Sequence, residues 1–388
     1  MKHIILALLT LLFVFPAFAQ DAGNPAACVE NYDEAARYFP DTAQVAYASG
    51  FTIDYYSNYK VVTVNAPWAG AAEPFVYVLV QCGTPVPAGY EGEQIIEVPA
   101  TSAVSMSTTY LSSFVELGLV DRLVALDEID FAFSPEVRER IDSGDIVEIG
   151  SGSTVNVEQA LVLEPGVIFT FASGSPDWDT HPVLLEAGLN VVINSDYLES
   201  DPLGRAEWVK FIAAFFNAEA EANAIFDEVE TNYHELAEIA VGAEVRPTVL
   251  ANAMFGDTWY VSGGGSYAAQ LIADAGGDYV WADDASTGSL PLSFEEVIDQ
   301  ALGADVWLNP NFWFSLADGL AEDERYAEFA AFENGQVYNN NARTNATGGN
   351  DYGETGVLHP ELILADLIYI LHPDLLPEHE LFFYQQLQ

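Results

Sequence analysis

The chain has 388 residues, half of them apolar, with 59 acidic against 11 basic residues and a formal net charge of −48 at pH 7. That length holds two substantial hydrophobic cores, and an apolar share this high rules out a disordered acidic chain. So negative a surface argues against nucleic-acid backbones and anionic membranes as partners, and leaves small neutral or cationic ligands open.

In chain order, Lys2 and His3 precede the apolar run Ile4 to Phe15, and Ala17-Phe18-Ala19 supplies a small-x-small cleavage site before Gln20. Residues 1–19 therefore read as a secretory signal peptide cleaved after Ala19, too short to remain as a membrane span. Cys28 follows closely, but Pro25-Ala26-Ala27 lacks the bulky aliphatic residue expected three positions before a lipid-bearing cysteine. The only other cysteine is Cys82. In an exported chain the two most simply form one disulfide, which would stabilise the N-terminal region by about 4 kcal/mol.

Residues 28–94 read as a β extension, with β-branched and aromatic runs at Phe51 to Tyr56, Lys60 to Asn65 and Phe75 to Gln81. Over 95–204 strands and helices alternate. Strands are predicted at Val98 to Ser102, Leu123 to Leu126, Val147 to Ile149, Val167 to Phe171 and Val191 to Asn194. Helices are predicted at Thr109 to Leu117, Pro135 to Asp142, Val157 to Leu163 and Pro182 to Ala187. Residues 205–245 hold a short helix, Arg205 to Phe216, and then Ala218 to Val241, which contains neither Pro nor Gly. Ala222, Ile225, Phe226, Val229, Tyr233, Leu236 and Ile239 recur there at helical spacing and predict one long amphipathic helix. A second alternating block fills 246–388, beginning at Thr248 to Asn252. The expected fold is α/β: two Rossmann-like lobes with mainly parallel sheets, joined by one long helix, with a ligand cleft between them.

One unit is written twice. Asn156-Val157-Glu158-Gln159 and Ser293-Phe294-Glu295-Glu296 each read as a capping box opening a helix that leads into a buried strand. A second echo precedes each: Leu117-Gly118 and Gly276-Gly277 both end a helix at glycine. The strands run into Ala172 to Trp178 and into Pro310-Asn311-Phe312-Trp313, polar aromatic loops suited to a shared cleft.

Catalytic signatures are missing: there is no Gly-x-Ser-x-Gly elbow, no phosphate loop and no His-Glu-x-x-His pair. Ser262-Gly263-Gly264-Gly265-Ser266 reads as a strand-to-helix turn. His181, His234, His359, His372 and His379 are scattered, which favours structural histidines over a metal site. Aromatic residues gather near predicted strand ends: Trp178, Tyr197, Trp259, Tyr260, Tyr267, Trp313 and Tyr352. Together they predict an aromatic-lined cleft, with Asn339-Asn340-Asn341 and Asn350 offering uncharged hydrogen bonds. Ser107, Tyr110 and Phe133 complete the candidate ligand contacts, and Arg205 and Arg343 are the basic residues nearest the cleft.

Asp201 to Trp208, Trp259 to Gly264, Asp274 to Tyr279, and the tail from Asn350-Asp351-Tyr352 through His359-Pro360-Glu361-Leu362 to His372-Pro373 occur in a characteristic order. With them, residues 95–380 resemble the substrate-binding proteins of ABC importers for iron complexes and cobalamin, whose lobes are joined by a single rigid helix. The resemblance implies a non-enzymatic, monomeric periplasmic receptor with no resident cofactor. Its cargo would be a metal chelate (siderophore or haem, alternatively cobalamin), held between the lobes with little closure. It also implies an acidic residue at each lobe tip that docks on the membrane permease: Asp177 or Asp179 in the first lobe and Asp278 in the second, where the family commonly carries Glu. The rival class is a secreted hydrolase with an interlobe active site.

Overall fold

The fold is seen in a computed structural model that describes residues 23–388; the signal peptide expected over 1–19 lies outside the described residues. Strands Phe51–Tyr55, Tyr59–Val64 and Phe75–Gln81 pair antiparallel as their alternation predicts. A fourth strand, Gln94–Val98, adds parallel to the third. The sequence predicts Val98 to Ser102 as the first lobe's opening strand, and the structure differs. Pro99 has no N–H to give to a ladder, so the extension's sheet stops at Val98 and the lobe's begins at Ala103. The Cys28–Cys82 disulfide closes across this sheet and occupies the thiol a lipid would need. Nor is the extension a separate body. Gln94 exchanges two hydrogen bonds with Val191, at 2.8 and 2.9 Å. Phe51 packs 4.7 Å from Trp208, inside one continuous core.

The first lobe is a five-stranded, wholly parallel sheet in the order Val147–Glu148, Leu123–Leu126, Ala103–Ser105, Val167–Thr170, Val191–Ile193. The second places Asp278–Tyr279, Thr248–Ala251, Val306–Leu308 and Val337–Asn339 parallel, with Gln385–Gln386 antiparallel at the edge. A small antiparallel sheet of Met254–Phe255, Thr258–Ser262 and Ser289–Leu292 flanks it. The twin helices are Val157–Leu163 and Phe294–Ala301. The capping box is complete in the second, where Ser293 and Glu296 bond reciprocally. In the first, Asn156 caps Gln159, but the Gln159 side chain bonds the Asn156 side chain and leaves its backbone alone. Both preceding helices end on a left-handed glycine, Gly118 (φ 66°) and Gly276 (φ 81°), as the echo predicts.

The linking helix spans Glu219–Ala240, 22 residues and about 33 Å. It buries Ala222, Phe226, Val229 and Tyr233, and packs on Trp208–Ala214 at one end and Pro360–Leu371 at the other. Three buried carboxylates, Glu199 and Glu207 on the segment leading into it and Glu219 in its first turn, tie the extension to this region. Glu199 accepts from Ser49, Gly50 and the Trp208 indole. Glu207 accepts the backbone N–H groups of Ala46, Tyr47 and Ala48 and pairs with Lys210 at 2.8 Å. Glu219 pairs with Lys60 at 2.6 Å, with both side chains fully buried. Glu207 and Glu219 are thus hydrogen-bonded as well as paired with a lysine, while Glu199 is held by hydrogen-bond donors alone; these are the conditions under which a buried charge is tolerated.

Candidate functional site

In parallel sheets the strand carboxyl ends carry the site, and here those of both lobes face one cleft. On the second lobe the chain leaves the strands through asparagines in the left-handed region, Asn252 (φ 63°), Asn309 (φ 56°) and Asn311 (φ 47°). Asparagine tolerates this conformation better than most residues. The bends open a groove of about 540 Å³ lined by Phe255, Tyr260, Phe312, Phe314, Asn340 and Asn350 among others. Phe312 is 79% exposed, Phe255 68%, Phe314 59% and Tyr260 45%. Four open aromatic rings around one groove form an unusual apolar patch for so acidic a surface.

The asparagine amides chiefly brace these loops. Asn252 donates to the Tyr260 carbonyl at 2.6 Å, Asn311 to Met254 at 2.7 Å, Asn339 and Asn341 to Trp313, and Asn350 to Asn340. Asn252, Asn340 and Asn350 also line the groove, so the bracing leaves the expected uncharged hydrogen-bonding groups at its wall.

On the first lobe, Trp178 is exposed on the loop after Thr170, and half-open Tyr197 donates to the Ala172 carbonyl at 2.6 Å. Ser107 caps the short turn after Ser105. Tyr110 faces inward, buried, with its hydroxyl on the Asn194 carbonyl. Asp127, next after the strand Leu123–Leu126, has its carboxyl pushed up from 3.8 to about 6 by burial.

The lobes touch at one end of the cleft. Buried Glu354 accepts from the backbone of Phe133 and Ser134 and from the Ser134 hydroxyl; burial raises its pKa, against those hydrogen bonds. Asn345 and Thr347 donate to the Ala132 and Asp130 carbonyls. Arg343 lies beside this seam, paired with Asp351 and set between Phe133 and Phe382. Deeper between the lobes, Arg205 pairs with Asp196 at 3.3 Å and stacks 4.7 Å over Tyr267, in a small cavity also lined by Tyr352.

Two expected wall residues are elsewhere. Trp259 and Trp313 have no exposure and pack on Trp307 and Tyr326 in the core of the second lobe. The wall belongs instead to Phe312 and Phe314, on either side of Trp313, and to Phe255. The acidic tips also differ from expectation. Asp177 is exposed, but Asp179 holds its own loop by accepting from Ser173 and Gly174. Asp278 pairs with Thr248 at the start of its strand, the end of the sheet away from the cleft. The histidines are structural: His379 bonds Asp366, His359 bonds Glu361, His372 the Gly276 carbonyl, and His234 Tyr47, while His181 lies under Trp68. Among the described residues no group of three or more His, Cys, Asp or Glu is placed to hold a bare metal ion, and no helix is long and apolar enough to cross a membrane.

Residues 104–344 match the periplasmic binding protein family, and the chain belongs to it. An uncharacterised lipoprotein of Methanocaldococcus jannaschii is 30% identical over 294 residues, 72% of this chain and 67% of the relative. Two solved structures share the fold. A periplasmic heme-binding protein from Roseiflexus has 21% identity and a TM-score of 0.54, covering 71% of this chain and 99% of its own. The periplasmic vitamin B12 binding protein of Vibrio cholerae has 15% identity and a TM-score of 0.51, covering 72% and 99%.

Proposed function

We propose that this chain is an exported, non-enzymatic receptor that captures an iron complex, siderophore or haem, in its interlobe cleft and delivers it to an ABC importer permease. One observation carries this function: the groove of about 540 Å³ rimmed by exposed Phe255, Phe312, Phe314 and Tyr260, at the carboxyl ends of the second lobe's strands. Such a wall suits a bulky ligand with apolar faces, and binding by stacking needs no catalytic group. The single linking helix and the Glu354 seam favour a cleft largely formed before the ligand arrives.

For docking on the permease, the twin helices offer matched carboxylates. Each runs antiparallel to the strand it feeds, so its first turn sits at the cleft rim. Glu158 and Glu295 hold equivalent, exposed positions there, one per lobe. They suit two-point contact with a two-fold permease better than Asp278.

The test is titration of the mature protein with ferric siderophores, haem and cobalamin, followed by tryptophan fluorescence and calorimetry. Trp178 is 68% exposed beside the cleft, and its emission is expected to respond in the native protein and not in Trp178→Phe. No heat and no response with every complex would dispose of the metal-complex receptor.

A further inference from the structure

The charge of the ligand follows from where the basic side chains are held, granted that the cleft is a receptor site. All of the chain's basic residues except Lys2 lie among the described residues, so each can be traced. Lys60 and Lys210 are buried at the start of the linking helix against Glu219 and Glu207. Arg37 sits on the extension. Arg122, Arg140 and Arg246 bond the carbonyls of Thr101, Leu123 and Gly277, at the sheet ends away from the cleft. Arg138 donates to the Ile129 carbonyl at 2.6 Å and lies beside Asp142.

Arg138 thus reaches the cleft side, at the turn after Leu123–Leu126, and is held by a carbonyl and a carboxylate. Three more arginines lie near the cleft, and each of these is engaged by a carboxylate on one side and an aromatic face on the other. Arg205 has Asp196 at 3.3 Å and Tyr267 at 4.7 Å. Arg343 has Asp351 and, at 4.3 Å, Phe382. Arg325 has Asp323 at 2.6 Å and Phe294 at 3.7 Å. The other charged groups at the cleft are acidic: Asp127, Glu128 and Asp177 on the first lobe, Asp257 and Glu322 around Phe255 and Phe312 on the second. An anion entering would give up its hydration without gaining a free cation, and would face like charge on both walls.

We infer that the cleft selects a metal complex of zero or positive net charge that lays an apolar face on Phe255, Phe312 and Phe314, and turns polyanionic complexes away. That selection narrows the cargo to a siderophore or corrinoid over haem, left anionic by its two propionates. The phenyl rings supply contact without charge, and the surrounding carboxylates favour a cation at the rim.

The experiment is calorimetric titration of the mature protein at low salt with four probes: neutral ferrichrome, cationic ferrioxamine B, neutral cyanocobalamin and trianionic ferric enterobactin. At least one neutral or cationic probe is expected to bind about a hundredfold more tightly than the trianion. Raising the salt should strengthen the residual binding of the trianion and leave the neutral probes unchanged. Phe312→Arg, at a site 79% exposed and therefore undemanding for folding, should improve trianion binding about tenfold. Trianion affinity equal to or above that of the neutral probes, or lost as salt rises, would overturn the charge selection and leave the receptor standing. Binding of none of the four would overturn the charge selection, and absence of heat with haem as well would remove the receptor function with it.

Discussion

The back and the front of this molecule use charge in opposite ways. At the back, where the extension meets the linking helix, Glu199, Glu207 and Glu219 are buried, and each is surrounded by backbone donors, an indole or a lysine. At the front, the second lobe's wall carries phenylalanines and asparagines, and the nearby arginines are already paired. In a chain with 11 basic residues against 59 acidic ones, two buried lysines help hold the joint together, and the arginines near the cleft are paired and leave it to apolar contact. The extension thus gains a role that its sequence did not disclose: it braces the start of the single helix on which both lobes hang.

The strongest way to break this contrast is Glu207→Ala. It leaves Lys210 buried without its partner and frees three backbone N–H groups, and should cost about 5 kcal/mol in urea unfolding. An effect under about 1 kcal/mol would mean that the back of the molecule is not held by its charges. Next is the paired substitution Cys28→Ser with Cys82→Ser, expected to lower stability by about 4 kcal/mol and to expose the extension to protease first. Equal protection of the extension with and without the disulfide would contradict its place in the joint.

Asp127 sharpens the contrast from the cleft side, being a half-buried carboxyl with no cation beside it. Burial raises its pKa from 3.8 to about 6, so its charge penalises the fold above pH 6, and the penalty is relieved as pH falls through 6 toward 4. Asp127→Asn is therefore expected to stabilise the protein by about 2 kcal/mol at about pH 7.5 and by nothing at about pH 3. A stabilisation that did not change with pH would point to packing.

Much of the fold was legible because its signals are local. Ala222, Phe226, Val229 and Tyr233 fall on one helical face, and Asn156 and Ser293 mark where the twin helices begin. The joint was illegible because Glu207 and the N–H groups it holds are about 160 residues apart, with nothing in either segment naming the other. Within the site, the aromatic loop after Leu308 was recognised, but its roles were exchanged: Trp313 is core and Phe312 is wall. An irregular loop has no period from which to read a facing. Arg205 and Arg343 looked available because the sequence cannot say that Asp196 and Asp351 reach them first.

The central claim is that the phenylalanine wall of the second lobe binds the ligand. Its most direct test is calorimetry of the native protein and of Phe312→Ala with Phe314→Ala, using ferrichrome and cyanocobalamin. Both side chains are largely exposed, so the double variant should keep the native melting temperature. Whichever complex the native protein binds should bind the variant about tenfold more weakly. Unchanged affinity in a variant of unchanged stability would place the ligand somewhere other than this cleft.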